Sequence, residues 1–435
     1  MELFIAFFIF AAFMTVSLLA EISMLWPLCA GFVLFSALAV RRGYSVKAVL
    51  GFAAESLKES FIVIGILLLI GCLTGLWRLS GTVAYFITMG VSVIPPRLFL
   101  PSAFLLASAM SFALGTSFGV TATAGVILMS VARAGGVDPI LAAGAILSGV
   151  YLGDRGSPAA SSANLVAVMT HTDMRKNVRL MLKCSLVPFA LCCLLFTLLS
   201  LKAPVIRIDS DILSMLSREF ASHWLCIVPA VLMIVLPFCG LRIKLTMAVS
   251  LITSGIAALT VQHCGLMDCF KVMVLGYEAK NPLLSDMVSG GGIVSMLEVC
   301  GILLVSCSYG TIFEKTGILE NVNRKVAELS GKLGRFPVML LLSFGVSMVF
   351  CNQTVSTIMQ SDLATEMYGD SDGEKTRKML DMENSVILIP AMVPWCLSSF
   401  VPRTMLNVSA ATIPVTFYIW LVPLWWLICT AGKKK

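Results

Sequence analysis

Gly153-Asp154-Arg155-Gly156-Ser157-Pro158 sets two charges between glycines and a proline inside a long apolar stretch. Glu383-Asn384-Ser385, followed by Pro390 and Pro394, does the same in the other half of the chain. Gly and Pro interrupt a helix and free backbone polar groups. At membrane depth such groups, and any charge beside them, need a water-lined cavity or surrounding protein. The two stretches therefore read as broken helices, over about 139–170 and about 376–405.

The rest of the composition agrees with a membrane setting. Hydrophobic residues make up 58% of the 435 and charged residues 13%, whereas soluble domains run to about half apolar and a quarter charged. Apolar runs of the roughly 20 residues needed to cross a bilayer recur along the chain, which predicts an all-α polytopic membrane protein. The first run, Leu3–Ala20, opens on Glu2 with no basic patch, so it reads as a span and not as a cleavable signal. The 14 cysteines lack C-x-x-C spacing and mostly sit in apolar runs, as small buried hydrophobes do. No cofactor is expected.

Spans fall at about 3–20, 22–40, 60–77, 179–201, 221–240, 243–262, 291–312 and 411–431. Two further apolar stretches, about 96–133 and about 336–368, are too long for one crossing. Polar and small residues interrupt each centrally, at Leu114–Gly119 and Cys351–Thr354. Arms of about 15 residues at 1.5 Å per residue reach only the midplane, which predicts re-entrant hairpins. The halves also repeat: Gly65-Ile66-Leu67-Leu68-Leu69 leads to Ser80-Gly81 as Gly301-Ile302-Leu303-Leu304-Val305 leads to Thr316-Gly317, at an offset of 236, the difference between 301 and 65. The expected organisation is a first repeat over 1–205, a linker over 206–220 and a second repeat over 221–435. With five spans, a hairpin and a broken helix in each, the protein has about ten transmembrane helices.

An odd number of crossings per repeat inverts the second repeat. With that topology 21 Lys and Arg lie on the side of the N-terminus and nine on the other, Arg155 being intramembrane. The positive-inside rule then puts both termini in the cytoplasm of a cell (plasma or inner) membrane. The net charge of +7 is an orientation signal, and no basic cluster is interleaved with aromatics as a nucleic-acid surface would be. Paired interruptions in two inverted halves are the mark of a secondary transporter's binding site.

Leu114–Gly125, Gly144–Asn164, Gly291–Leu297 and Met382–Cys396 resemble the corresponding motifs of the NhaC-type sodium/proton antiporter family, and the similarity covers nearly the whole chain. The resemblance implies an inverted-repeat antiporter of Na⁺ and H⁺, commonly a homodimer, whose moving part shifts like an elevator. The chain departs from the family pattern where acidic and threonine positions read Ser161, Ser162 and Ala163, where Glu-Asp-Ser reads Glu383-Asn384-Ser385, and at Cys396. Two carboxylates of the pattern, at 161 and 384, are thereby absent.

A dehydrated Na⁺ takes several oxygen ligands, and unwound helix ends and hairpin tips supply them. The candidates are Asp154, Ser157 and Asn164 in the first broken helix, Thr116 and Ser117 in the first hairpin, Asn352 and Thr354 in the second, and Glu383, Asn384 and Ser385 in the second broken helix. Asp154 and Glu383 are the candidate carboxylates for the metal ion. A carboxylate that can hold either a proton or a cation suffices for antiport. Against this stand plainer roles: an Asp154–Arg155 ion pair closing the break, Glu383 at an interfacial helix end, hydroxyls that only cap hairpin tips, and Glu298 paired with a neighbouring hydroxyl. His171 follows the first broken helix and is a weaker candidate.

An ATP-driven pump needs a phosphate loop, which is absent. An intramembrane aspartyl protease would need a Tyr-Asp pair, which does not occur. Within transport the rival is a coupled carrier of small organic anions or metabolites, because half-helix N-termini also suit carboxylates.

Overall fold

The computed structural model describes residues 2–20, 22–93, 96–202, 210–316 and 322–431. The described residues form helices joined by turns and irregular segments, with no strand among them beyond a single bridge between Tyr277 and Gly290. Gly317, residues 206–209 of the expected linker and Lys433–Lys435 lie outside them.

In the first half the helices are α1 (Glu2–Leu19), α2 (Leu25–Arg41), α3 (Val46–Leu79), α4 (Thr82–Val93), α5 (Phe99–Leu114), α6 (Ser117–Ala134), α7 (Pro139–Gly156), α8 (Ser161–Met169) and α9 (Met174–Lys202). In the second they are α10 (Ser210–Glu219), α11 (Val228–Phe238), α12 (Ile243–Thr260), α13 (Leu266–Leu275), α14 (Leu297–Lys315), α15 (Val322–Leu333), α16 (Arg335–Phe350), α17 (Gln353–Leu363), α18 (Asp372–Glu383), α19 (Leu397–Leu406) and α20 (Phe417–Ala431).

Both long apolar stretches break where the sequence interrupts them. α5 ends on Gly115 at φ +64° and α16 on Cys351 at φ +55°. Each left-handed residue is followed by a side-chain cap on the next helix. Thr116 accepts from the Gly119 amide at 3.3 Å and Asn352 from the Thr354 amide at 2.9 Å. Gly115 and Cys351 stand 236 residues apart, and so do α5 and α16, each 16 residues long; this is the offset of the sequence repeat. α16 and α17 fold back on one another, with Ser343 donating to Gln360 at 2.6 Å and Gln360 to the Met339 carbonyl at 3.2 Å. α6 is longer than a half-depth arm: it runs 18 residues with a π-helical turn at Thr121–Gly125 and packs on α4 and α7.

α5 lies against α7 with almost no side chain between. A Cβ on Gly149 would stand 2.5 Å from the Phe104 carbonyl oxygen, and one on Gly153 2.0 Å from the Ser111 carbonyl carbon. Small residues permit this close helix contact inside a membrane, and Ser111 uses it to donate to the Val150 carbonyl at 2.5 Å. Asp138 starts α7 by accepting from the Ile140 amide at 2.7 Å, with Pro139 at the first turn, where its missing N–H costs nothing.

Several boundaries differ from the sequence reading. The span expected from 291 begins later, because Gly290, Gly291 and Gly292 all take positive φ and form a turn docked on α3, where the Gly292 amide donates to the Gly71 carbonyl at 2.7 Å. α3 is 34 residues long, about 51 Å at 1.5 Å per residue, so it outruns the expected 60–77 segment. After it the chain bends by 65° into α4, which hydropathy alone merged into a loop because it is only 12 residues. The linker is helical from Ser210, burying Leu216, and α13 and α15 are likewise short helices between the expected spans. Three helices among the described residues are long and apolar enough to cross a bilayer, Ser117–Ala134, Met174–Lys202 and Val294–Phe313, and the bent pair Val63–Leu79 with Thr82–Met89 would make a fourth. The remaining apolar helices run 10–17 residues.

Candidate functional site

The two broken helices meet in the protein interior. α7 stops at Gly156, and the chain restarts as α8 at Ser161. Ser157, itself buried, accepts from the Ala159 amide at 3.1 Å and turns the break. α18 stops at Glu383, and an irregular run with a short 3₁₀ turn at Ile389–Met392 leads to α19 at Leu397. The first hairpin tip presses on the first break, since a Cβ on Gly115 would meet the Ala159 carbonyl carbon at 2.4 Å. The second tip is bonded to the second break, with the Leu397 amide donating to the Cys351 carbonyl at 2.8 Å.

Asp154 is 6% exposed and stands among these four pieces. Gln353, the first residue of α17, donates through Nε2 to Asp154 Oδ2 at 3.1 Å and to the Ile387 carbonyl at 2.8 Å. Ser162 donates to the Asp154 backbone carbonyl at 2.5 Å and to Oδ1 at 3.4 Å, and Ser117 lies buried at the start of α6. The carboxylate thus meets the second tip and its own break, and Gln353 links it to the second break.

Arg155 points elsewhere, so the ion pair that would have closed the break does not form. Its guanidinium is completely buried and donates to Asn384 Oδ1 at 2.6 Å, to the Glu383 carbonyl at 3.1 Å, to Tyr418 Oη at 3.2 Å, to the Met181 carbonyl at 3.4 Å and to Ser185. None of these acceptors is a carboxylate. Arg155 therefore ties α7 to α9, α18 and α20 while its charge stays uncompensated by contact.

Glu383 is fully buried, not interfacial, and neither of its carboxyl oxygens has a hydrogen-bond partner among the described residues. The Asn384 amide nitrogen is likewise without one. One turn away, Asp381 belongs to a separate and satisfied group: it accepts from Tyr368 at 2.8 Å, Arg377 at 2.9 Å and Trp426 at 2.6 Å.

The other expected residues fall into two groups. Ser385 is buried, donates to the Asp381 carbonyl at 2.6 Å and accepts from Gln360 at 3.1 Å, adjoining the cluster. Thr116, Asn352 and Asn164 hold backbone; Asn164 is exposed and donates to the Pro158 and Ala160 carbonyls at 3.0 and 2.7 Å. Thr354 is exposed, its amide engaged by Asn352. His171 takes φ +51° in an exposed turn. Glu298 accepts from Ser23 at 2.5 Å, the hydroxyl pairing anticipated for it. Gln353, Ser162, Ser185 and Tyr418 were not anticipated. Gln353 lies between the two named tip residues Asn352 and Thr354, and its place at a helix start was the signal that could have found it.

Comparison with known proteins finds relatives over most of the chain. The chain is 27% identical over 391 residues to the malate-2H⁺/Na⁺-lactate antiporter of Bacillus subtilis, covering 88% of this chain and 83% of that protein. It is 25% identical over 377 residues to the Na⁺/H⁺ antiporter NhaC of Alkalihalophilus pseudofirmus, covering 85% and 81%. It is also 24% identical over 363 residues to the arginine/ornithine antiporter ArcD of Halobacterium salinarum, covering 81% and 75%. Residues 149–431, which hold both breaks and the second hairpin, match the model of the Na⁺/H⁺ antiporter family, so the chain belongs to that family, as the NhaC-type motifs indicated.

Proposed function

We propose that the protein is a secondary antiporter exchanging a cation, Na⁺ in the first instance, for protons at a site formed by Asp154 and Glu383. The observation that carries this reading is a charge imbalance. At the two breaks, the buried carboxyl groups of Asp154 and Glu383 stand with one guanidinium, that of Arg155, which bonds to neither. An isolated buried carboxylate costs several kcal/mol unless it is protonated or neutralised. The cluster as a whole is therefore neutral when it holds one added positive charge, and a proton and a cation are the two ways to supply it.

Ligands for a cation are at hand: Asp154 Oδ1 and Oδ2, the Ile387 carbonyl and the free oxygens of Glu383. Gln353 Nε2 bridges Asp154 and Ile387, the position from which an amide would have to withdraw for an ion to bind both. The expected test is proton flux in proteoliposomes with a pH-sensitive dye, adding Na⁺, Li⁺ and K⁺ in turn. Flux evoked by Na⁺ or Li⁺ supports the reading, and silence toward all three cations removes it.

Two inverted repeats with ten spans, both termini cytoplasmic in the cell membrane, complete the proposal. Its support is that contacts join positions assigned to one side of the membrane. Lys315 reaches Glu55 at 3.5 Å and Arg335 reaches Glu374 at 2.7 Å on the cytoplasmic side, while Arg133 donates to the Leu406 and Asn407 carbonyls at 2.8 Å on the other. A second reading, exchange of small organic anions coupled to these ions, is favoured by the likeness to an antiporter of malate and lactate.

A further inference from the structure

At the end of α1 away from the N-terminus the protein holds a cavity of about 720 Å³, within the range of small-molecule sites, walled in part by Ser23, Glu298, Pro394, Phe400, Arg403 and Ser409. Arg403 is only 7% exposed. Its Nε donates to the Ser399 carbonyl at 3.2 Å and hydroxyl at 3.3 Å, and one Nη2 hydrogen goes to the Pro394 carbonyl. No carboxylate pairs with it among the described residues. The Phe400 ring lies 5.9 Å from its Cζ and backs the guanidinium plane.

A guanidinium carries five N–H donors in a fixed fork. The bonds above use Nε and one Nη2 hydrogen, leaving the Nη edge that receives a carboxylate bidentately. The backbone that positions this fork is itself held: Tyr151 donates to the Ser398 carbonyl at 2.5 Å and Trp395 to the Met348 carbonyl at 3.0 Å. A buried guanidinium with no paired carboxylate is costly to hold and is offset by an anionic partner. Glu298, on the same cavity wall, is tied to Ser23 by one oxygen. It accepts a hydrogen from a ligand's hydroxyl or ammonium group and repels a second carboxylate.

We propose that this cavity is a binding site for a small 2-hydroxy or 2-amino monocarboxylate, with Arg403 receiving the carboxylate and Glu298 the neighbouring hydroxyl or ammonium group. The site adds to the cation and proton exchange at Asp154 and Glu383 and does not depend on it.

The test is equilibrium dialysis of the purified full-length protein in detergent against radiolabelled L-lactate, with unlabelled L-alanine, L-malate, acetate and chloride as competitors. Saturable L-lactate binding is expected, displaced by L-alanine and at least tenfold less well by L-malate. Arg403→Gln should weaken binding at least thirtyfold, with partial retention in Arg403→Lys. Glu298→Gln should erase the discrimination against L-malate. Absence of saturable binding by the wild type overturns the proposal. So does undiminished binding by Arg403→Gln that elutes and melts as a folded protein. If Arg403→Gln does not fold, the Glu298→Gln arm decides, because unchanged discrimination against L-malate also overturns it. Dialysis needs no ion gradient, so acid binding without Na⁺-evoked proton flux sinks only the cation reading, and flux without acid binding sinks only this one.

Discussion

Asp154, Glu383 and Arg155 leave the breaks one charge short of balance, and the sharpest expectations follow from it. Asp154→Asn removes the exchangeable group with little change of shape, so coupled cation and proton exchange should fall to background in proteoliposomes while the protein still elutes as a folded species. Retained exchange would leave Asp154 a bonding partner of Gln353 and nothing more. Asn384 was marked from the sequence as a missing carboxylate whose restoration should add a cation ligand. Its Oδ1 instead accepts from Arg155 at 2.6 Å. The new charge in Asn384→Asp would therefore be drawn first to that guanidinium. The expected change in apparent Na⁺ affinity is accordingly smaller than tenfold, which corresponds to about 1.4 kcal/mol. A larger gain in flux assays would place residue 384 in contact with the ion.

The helices show which parts of this architecture hydropathy and turn chemistry could announce. Breaks at Gly115, Gly156 and Glu383 were legible because Gly, Pro or charge inside an apolar run disrupts the helix that carries it, and the one at Cys351 because polar Asn352, Gln353 and Thr354 interrupt theirs. α4 and α13, of 12 and 10 residues, were not, since a short helix between spans carries no periodic signal strong enough to separate it from a loop. Nor could Arg155 be separated from Asp154, because adjacent residues on a helix point some 100° apart and only the neighbours decide their partners. Close contact of α5 with α7 gives a direct test. Gly153→Ala drives a methyl into the Ser111 backbone, an overpacking worth about 1–3 kcal/mol. Gly65→Ala, where no atom lies within 4 Å, should leave thermal stability unchanged or slightly raised. Equal melting temperatures for the two variants in detergent would contradict the packing. At the start of α18 the Arg335 guanidinium bonded to Glu374 holds that carboxyl below the usual range. Its stabilisation is present above the unfolded value, about 4.3, and is lost as pH falls through the lowered folded value. The gap in melting temperature between wild type and Glu374→Gln should therefore close below about pH 4. It should be small throughout, since exposed pairs contribute a few tenths of a kcal/mol.

For the molecule as a whole, the assigned topology predicts that a single cysteine at position 133, on a cysteine-depleted background, reacts with impermeant reagent from outside and one at 335 only from inside. Labelling of 133 from the cytoplasm would reverse the orientation. The grip of Arg155 on residues 383 and 384 has a mechanical consequence. The two interrupted helices come from different halves of the chain, yet one side chain braces them into a single rigid cargo block. If transport carries Asp154 from one face to the other, Glu383 moves along with it, and the proposed sliding seam would cut across the two halves of the chain and not run between them.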